Sequence, residues 1–361
     1  MGTNMSVPVR LRSLLPLLLL FALAHLTSCA SSAVGDRQRI AGKTYVITGA
    51  SSGFGRGVAV KLASQGANVV LAARRTELLE EVAAEARAAG GTPLVVTTDV
   101  SRVEDMQRLA EAAVARFGKI DVWINDVGVG AIGRFWEVPI EDHARLVDVN
   151  LKSVIYGSHF ALRQFRTQGY GTLVNIGSVD SEVPLAYQGS YSATKAAVLS
   201  LGRALNEELR LSNLRSIKVA TVMPWAADTP WWAHTANYSG GTPRMAAMDD
   251  PWKVVDGIIW ISLHPREEYS VGWKSKGSYL SHQLFPDLTE RISANIAHRY
   301  QIVTAPPAPP TKGTLYEPVQ AGREVEGGVR ERMKREAEAR ERTEQPEEQK
   351  ATPAPPAASP E

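Results

Sequence analysis

The chain has 361 residues, 44% of them apolar and 22% charged, which is an ordinary globular balance over a length that allows about two domains. Forty Lys and Arg against 38 Asp and Glu leave a formal charge of +2, which excludes a nucleic-acid-binding domain driven by a basic surface. One cysteine excludes a disulfide framework and any multi-cysteine metal site, and a single long apolar run excludes a polytopic membrane protein.

That run comes first in the chain. Arg10 and Arg12 precede an apolar stretch from Leu14 to Leu26, and Thr27-Ser28-Cys29 follows it. A basic start, an apolar core of about 13 residues and small residues describe a secretory signal over residues 1–29. The end, Leu26-Thr27-Ser28-Cys29, resembles the bacterial lipobox, whose cysteine receives lipid. An uncleaved anchor is the alternative. The expectation is a membrane-associated envelope lipoprotein, with a cytoplasm-facing location left open.

From about residue 36 to 304, short apolar runs alternate with helical spacing. Thr44–Ile47 reads as a strand and Phe54–Gln65 as a helix. Strand Asn68–Ala72, helix Leu78–Ala89 and strand Leu94–Val96 follow, and then a helix over about 103–117. Next come strand Asp121–Ile124, a long helix around 141–167, strand Thr172–Ile176, helix Ser192–Leu211 and strand Ile217–Val222. This alternation predicts a single α/β domain, a doubly wound parallel sheet with helices on both faces. Ligands in such sheets sit at the carboxyl ends of the strands, where strand order reverses. After Thr304 the composition shifts. Ala305–Pro310 is a proline-rich spacer and residues 323–350 are crowded with charge, so 305–361 is expected to be a disordered tail, with some helix over 330–342.

The chemistry-bearing residues fall at the strand ends. Thr48-Gly49-Ala-Ser51-Ser52-Gly53-Phe54-Gly55 joins the first strand to the first helix. Glycines there allow a tight turn and let backbone N–H groups approach a pyrophosphate. The second strand ends in Arg74-Arg75, with Arg74 19 positions past Gly55 and no carboxylate at the strand end. An acidic residue would bind the ribose hydroxyls of NAD, whereas arginine accommodates the 2′-phosphate, so NADP(H) is favoured over NAD(H). Tyr191 and Lys195 stand four residues apart on one helical face, and Ser178 closes the fifth strand. A neighbouring ammonium and the positive nicotinamide of an oxidised cofactor would together favour the phenolate of Tyr191, whose pKa is otherwise near 10. The seven histidines show no metal-ligand spacing, and no metal is expected.

These residues together resemble the short-chain dehydrogenase/reductase family, whose fold is Rossmann-like. The resemblance covers about residues 40–230 well and the region to 300 in outline. It implies cofactor contacts at Thr48 through Gly55, at Asp99 and Val100 on the adenine side, and at Asn125 and Gly128. It further implies contacts at Tyr191 and Lys195, and at Pro224 and Thr229 beside the nicotinamide. It also implies a catalytic set of Asn150, Ser178, Tyr191 and Lys195. Tyr191 would be the general acid or base, Ser178 would polarise the carbonyl, and Lys195 would bind the nicotinamide ribose. Asn150 would hold a relay water. The substrate would be a small carbonyl/alcohol pair, apolar given Trp231 and Trp232, and family members often pair as dimers or tetramers. Two positions depart from the pattern. Asp126-Val127 stands where the family has Asn-Ala, placing charge near the adenosine side, and Trp225 replaces a glycine beside the nicotinamide. A non-catalytic nucleotide-binding or envelope scaffold protein is the alternative from another class.

Overall fold

The computed structural model describes residues 37–350; the apolar segment with Cys29 lies outside the described residues. Its centre is a sheet of short strands, the inner ones buried on both faces and the edge strands partly exposed. They are β1 (Thr44–Thr48), β2 (Asn68–Ala73), β3 (Thr92–Thr97), β4 (Val122–Asn125), β5 (Gly171–Ile176), β6 (Ile217–Met223) and β7 (Glu268–Ser270). All seven are parallel, in the order β3-β2-β1-β4-β5-β6-β7. The chain moves outward from β1 through β2 to β3, then crosses back to β4 on the other side of β1. The reversal therefore lies between the carboxyl ends of β1 and β4, which is where such sheets bind ligands.

The period-2 alternation of the strands divides the core between the two faces. Tyr45, Ile47, Leu71 and Ile124 pack on one face beneath α1 (Gly53–Ala63), α2 (Thr76–Ala88) and α8 (Pro251–Leu263). Val46, Val70, Trp123 and Leu173 pack on the other, against α3 (Val103–Phe117), α4 (Ile140–Val147) and α5 (Ser153–Gln168). The long helix expected around 141–167 is thus two helices joined through one π turn, Asp148–Lys152, which carries Asn150. α6 (Gly189–Leu211) lies along the sheet and carries Tyr191 and Lys195 on its first turns. Beyond β6 come the one-turn helix α7 (Trp231–His234) and the hairpin of α9 (Gly272–Leu284) and α10 (Pro286–Ala297), which roof the carboxyl end of the sheet.

The segment after residue 304 departs from the solvated tail that its composition predicts. Pro306 O accepts from the Thr242 backbone N–H and hydroxyl, and Ala308 donates its N–H to Gly240 O. Thr311 and Asn237 exchange backbone bonds of 2.8 and 3.0 Å. Residues 314–329 then cross the carboxyl end of the sheet, and α11 (Val329–Lys350) leaves the domain through an Arg244–Glu336 ion pair of 2.6 Å. Three apolar side chains seat the segment: Leu315, Val325 and Val329, each buried in a different cluster. Low apolar content and many charges argue for disorder only when nothing pairs with the backbone. Here arginines of the domain do.

Phe165 is fully buried between α5 and the start of β5. Phe165→Ala is expected to cost about 3–5 kcal/mol, read as a lower denaturant midpoint with an unchanged slope.

Candidate active site

The turn after β1 is built by close backbone approach. Gly49 and Gly53 take left-handed φ values of +77° and +57°, and a Cβ on Gly55 would stand 2.5 Å from Gly49 O. This tight cradle at the N-terminus of α1 suits a pyrophosphate. One cavity runs from it along the carboxyl ends of β1, β4 and β5. Of the residues expected to touch a cofactor, Gly49, Ser51, Ser52, Gly53, Phe54, Arg74, Asp99, Val100, Gly128, Tyr191, Lys195, Pro224 and Thr229 line it.

Three expected contacts sit elsewhere. The Thr48 hydroxyl donates to Ile124 O at 3.3 Å and accepts from the Asp126 N–H at 3.0 Å, pinning β1 to β4 across the reversal. The Asn125 amide bonds Asn175 at 2.9 Å and Trp123 Nε1 at 2.8 Å, so it points into the sheet. Gly55 packs on the turn itself. These residues shape the crevice without lining it, because their polar atoms are already spent on neighbouring strands.

At the far end of the cavity lie Ser178, Tyr191 and Lys195. Lys195 is buried, and its Nζ donates to Ile176 O at 2.7 Å. Burial pulls its pKa down to about 8 against the opposing pull of Asp126 and Asp180. The Tyr191 ring packs on Trp231 with centroids 5.3 Å apart, and Lys195 Nζ lies 5.7 Å from the ring centre. Burial, reinforced by Asp180, pushes the phenol above its ordinary value, while the Ser178 hydroxyl pulls the other way. Desolvation is the largest of these influences, and with the protein's own groups alone the phenol is protonated. Ser178 Oγ accepts the Asp180 N–H at 3.1 Å, which fixes the hydroxyl at the end of β5.

Asn150 lies behind the cavity wall, fully buried. Its Oδ1 accepts the Val129 N–H at 2.8 Å, and its Nδ2 donates to Val129 O at 2.8 Å and Thr194 Oγ1 at 3.2 Å. It holds the loop after β4 against α6.

Asp126 sits in the turn after β4, where its carboxyl feels the Gly55 N–H of the glycine turn and the charge of Lys195. Burial lifts its carboxyl to about 8, against Lys195 and the Gly55 N–H, which favour the anion. Trp225 is fastened by its indole N–H to Ala247 O at 3.1 Å and forms part of the cavity lining. Trp231 and Trp232 both line the cavity, and Trp232 is buried with its indole N–H bonded to Ala227 O.

Sequence reasoning missed Arg75 as a site residue. Its guanidinium donates to Ser51 Oγ at 3.1 Å and Ser52 Oγ at 2.8 Å, bracing the glycine turn. The doubled arginine at the end of β2 was the available signal. Asp180 was missed too; burial lifts its carboxyl to about 7. Nothing in one sequence marks an acid four residues past a strand end as buried.

Residues 43–238 match the short chain dehydrogenase family. The chain is 31% identical to the uncharacterized oxidoreductase YxnA of Bacillus subtilis over 283 residues, 78% of this chain and 79% of that protein. Among solved structures, it resembles a short chain dehydrogenase/reductase of Burkholderia phymatum in complex with NAD. The TM-score is 0.61 at 27% identity, covering 71% of this chain and 97% of that one. An alcohol dehydrogenase of the archaeon Thermococcus sibiricus, complexed with 5-hydroxy-NADP, gives 0.55 at 26% identity, with coverage of 63% and 95%. A match over more than half the chain, on a doubly wound sheet whose glycine turn opens at the strand reversal, places this protein in the short-chain dehydrogenase/reductase family of oxidoreductases.

Proposed function

We propose that the protein is an NADP(H)-dependent oxidoreductase that interconverts a carbonyl and an alcohol, with Tyr191 as general acid and base. The observation that carries this reading is one cavity joining the glycine turn to the Ser178, Tyr191 and Lys195 side chains. The cradle between Gly49 and Gly55 fits a dinucleotide pyrophosphate, and the relatives with solved structures hold NAD or an NADP derivative. A nicotinamide dinucleotide bound there supplies or accepts the hydride.

The chain's own residues provide the rest. The Ser178 hydroxyl donates to the substrate oxygen and orients it. Tyr191, protonated in its buried setting, gives its phenolic proton to that oxygen during reduction and recovers it during oxidation. Lys195 holds a positive charge behind the phenol and steadies the anion that remains. Asn150 fixes the loop after β4, and through Thr194 the helix that bears both residues.

The preference for NADP(H) rests on Arg74 and Arg75. Among the described residues neither makes an ion pair; both donate to backbone carbonyls or to the serine hydroxyls. Burial lowers the Arg75 guanidinium, and Arg74, Arg323 and Arg56 lower it further. Asp99 and Glu317 act on Arg74 without an ion pair, and clustered arginines whose donors rest on neutral oxygens suit a phosphate. The substrate end, walled by Trp225, Trp231, Leu185, Met245 and Ile296, suits an apolar carbonyl compound. Lipid attachment at Cys29 belongs to the same proposal: [³H]palmitate labelling is expected in the natural chain and absent from Cys29→Ala.

Tyr191→Phe is expected to lower kcat about 10²- to 10⁴-fold with nucleotide affinity retained; an unchanged rate removes the tyrosine from the chemistry. Arg74→Ala is expected to weaken NADPH relative to NADH by about 1.5–3 kcal/mol, roughly ten- to hundredfold in the ratio of their Kd values. The ratio is the readout, since a general loosening affects both nucleotides alike.

The lowered Lys195 pKa sets an alkaline limit. Its charge is present below about pH 8 and lost above it, so nucleotide binding weakens as pH rises through that value. Asp126 helps keep Lys195 charged, so Asp126→Asn is expected to move the limit to lower pH in a titration of Kd against pH.

A further inference from the structure

The segment after Thr311 does more than fold back. We propose that residues 314–329 form the outer wall of the nucleotide site, a strap that holds the dinucleotide through turnover and must lift before it can leave. This rests on the cofactor reading above and adds a segment with no counterpart in that reading.

The strap is held over the place where the adenosine end of a dinucleotide would lie. Arg74 donates to Thr314 O at 2.6 Å and to Tyr316 O, and Arg145 Nε donates to Leu315 O at 2.8 Å. Arg75 reaches Val319 O and Gly322 O, both at 3.3 Å, and Arg56 reaches Arg323 O at 2.8 Å. The strap then touches the glycine turn itself: the Gly53 N–H donates to Glu324 O at 2.9 Å. At its far end Asp228 accepts the Val329 N–H at 2.7 Å, beside Thr229 of the cavity wall.

The fit is close. A Cβ on Gly327 would stand 2.2 Å from Thr229 O. Leu315 is fully buried, and the Tyr316 hydroxyl donates to the buried Asp142 at 2.9 Å. The strap nevertheless leaves the crevice continuous. Thr314 and Pro318 line the same cavity as Gly49, Arg74, Asp99 and Tyr191, so a cavity runs beneath the strap. A segment that simply plugged the site would fill that space. One that stands over it forms a wall, and Arg74 is shared between the wall and what lies below.

The test uses the full chain and NADPH. Leu315→Asp removes the deepest anchor, and stopped-flow displacement of bound NADPH by excess NADP⁺ reads the dissociation rate. The strap predicts release at least about tenfold faster in the variant, since affinity changes at an enclosed site appear mainly in the off-rate. Equal rates overturn the proposal. If Leu315→Asp does not fold, hydrogen exchange on the natural chain decides. Stronger protection of the Leu315 and Gly327 amides on adding NADPH supports the strap. Weaker protection means that the segment leaves when nucleotide binds, and overturns it. A natural chain that binds neither NADPH nor NADH overturns the cofactor reading, and the strap with it.

Discussion

The site is organised around a buried ammonium. Taking a lysine charge out of water costs several kcal/mol unless partners are supplied at short range, and three elements converge to supply them for Lys195. β5 offers the Ile176 carbonyl, the loop after β4 offers Asp126, and the short turn after Ser178 offers Asp180. The same convergence fixes the positions of Ser178 and Tyr191. Space for the ammonium also constrains the loop after β4, where a Cβ on Gly128 would lie 3.3 Å from Nζ. The placement of Ser178, Tyr191 and Lys195 and the solvation of one charge are therefore the same structural problem.

Asp126 illustrates how the departure from the family pattern is absorbed. Burial lifts its carboxyl to about 8 while Lys195 and the Gly55 N–H favour the anion, so the carboxyl and the ammonium titrate as a pair. An asparagine at this position would leave Lys195 with one fewer anionic neighbour. Trp225, the other departure, spends its indole N–H on Ala247 O and adds an apolar wall to the cavity.

The sheet, the glycine turn and the Tyr191–Lys195 face were legible because each is written in local pattern: alternation within a strand, glycine spacing within a turn, a four-residue offset on a helix. What local pattern does not carry is direction. Thr48 and Asn125 stand at the expected strand ends, yet their side chains bond across to neighbouring strands. The strap was illegible for a different reason. Its anchors are backbone carbonyls accepting from arginines some 240 residues earlier, and a carbonyl has no sequence signature. Proline, glycine and charge in 305–350 truly cannot build a core. The segment is ordered because it borrows one, setting Leu315, Val325 and Val329 into three clusters that the domain had already formed.

The loop that carries Trp231 and the segment beginning at Thr311 are fastened to each other. Asn237 and Thr311 exchange two backbone bonds, the Thr314 N–H donates to His234 O at 2.8 Å, and His234 Nε2 meets Ala321 O at 2.8 Å. A displacement at the substrate end therefore strains contacts at the nucleotide end, and by linkage the reverse holds with the same free energy. With a ligand in each half of the crevice, these bonds would make the two residence times one coupled quantity. His234, whose carbonyl and ring hold the returning segment at two points, would then bear on the order in which ligands come and go.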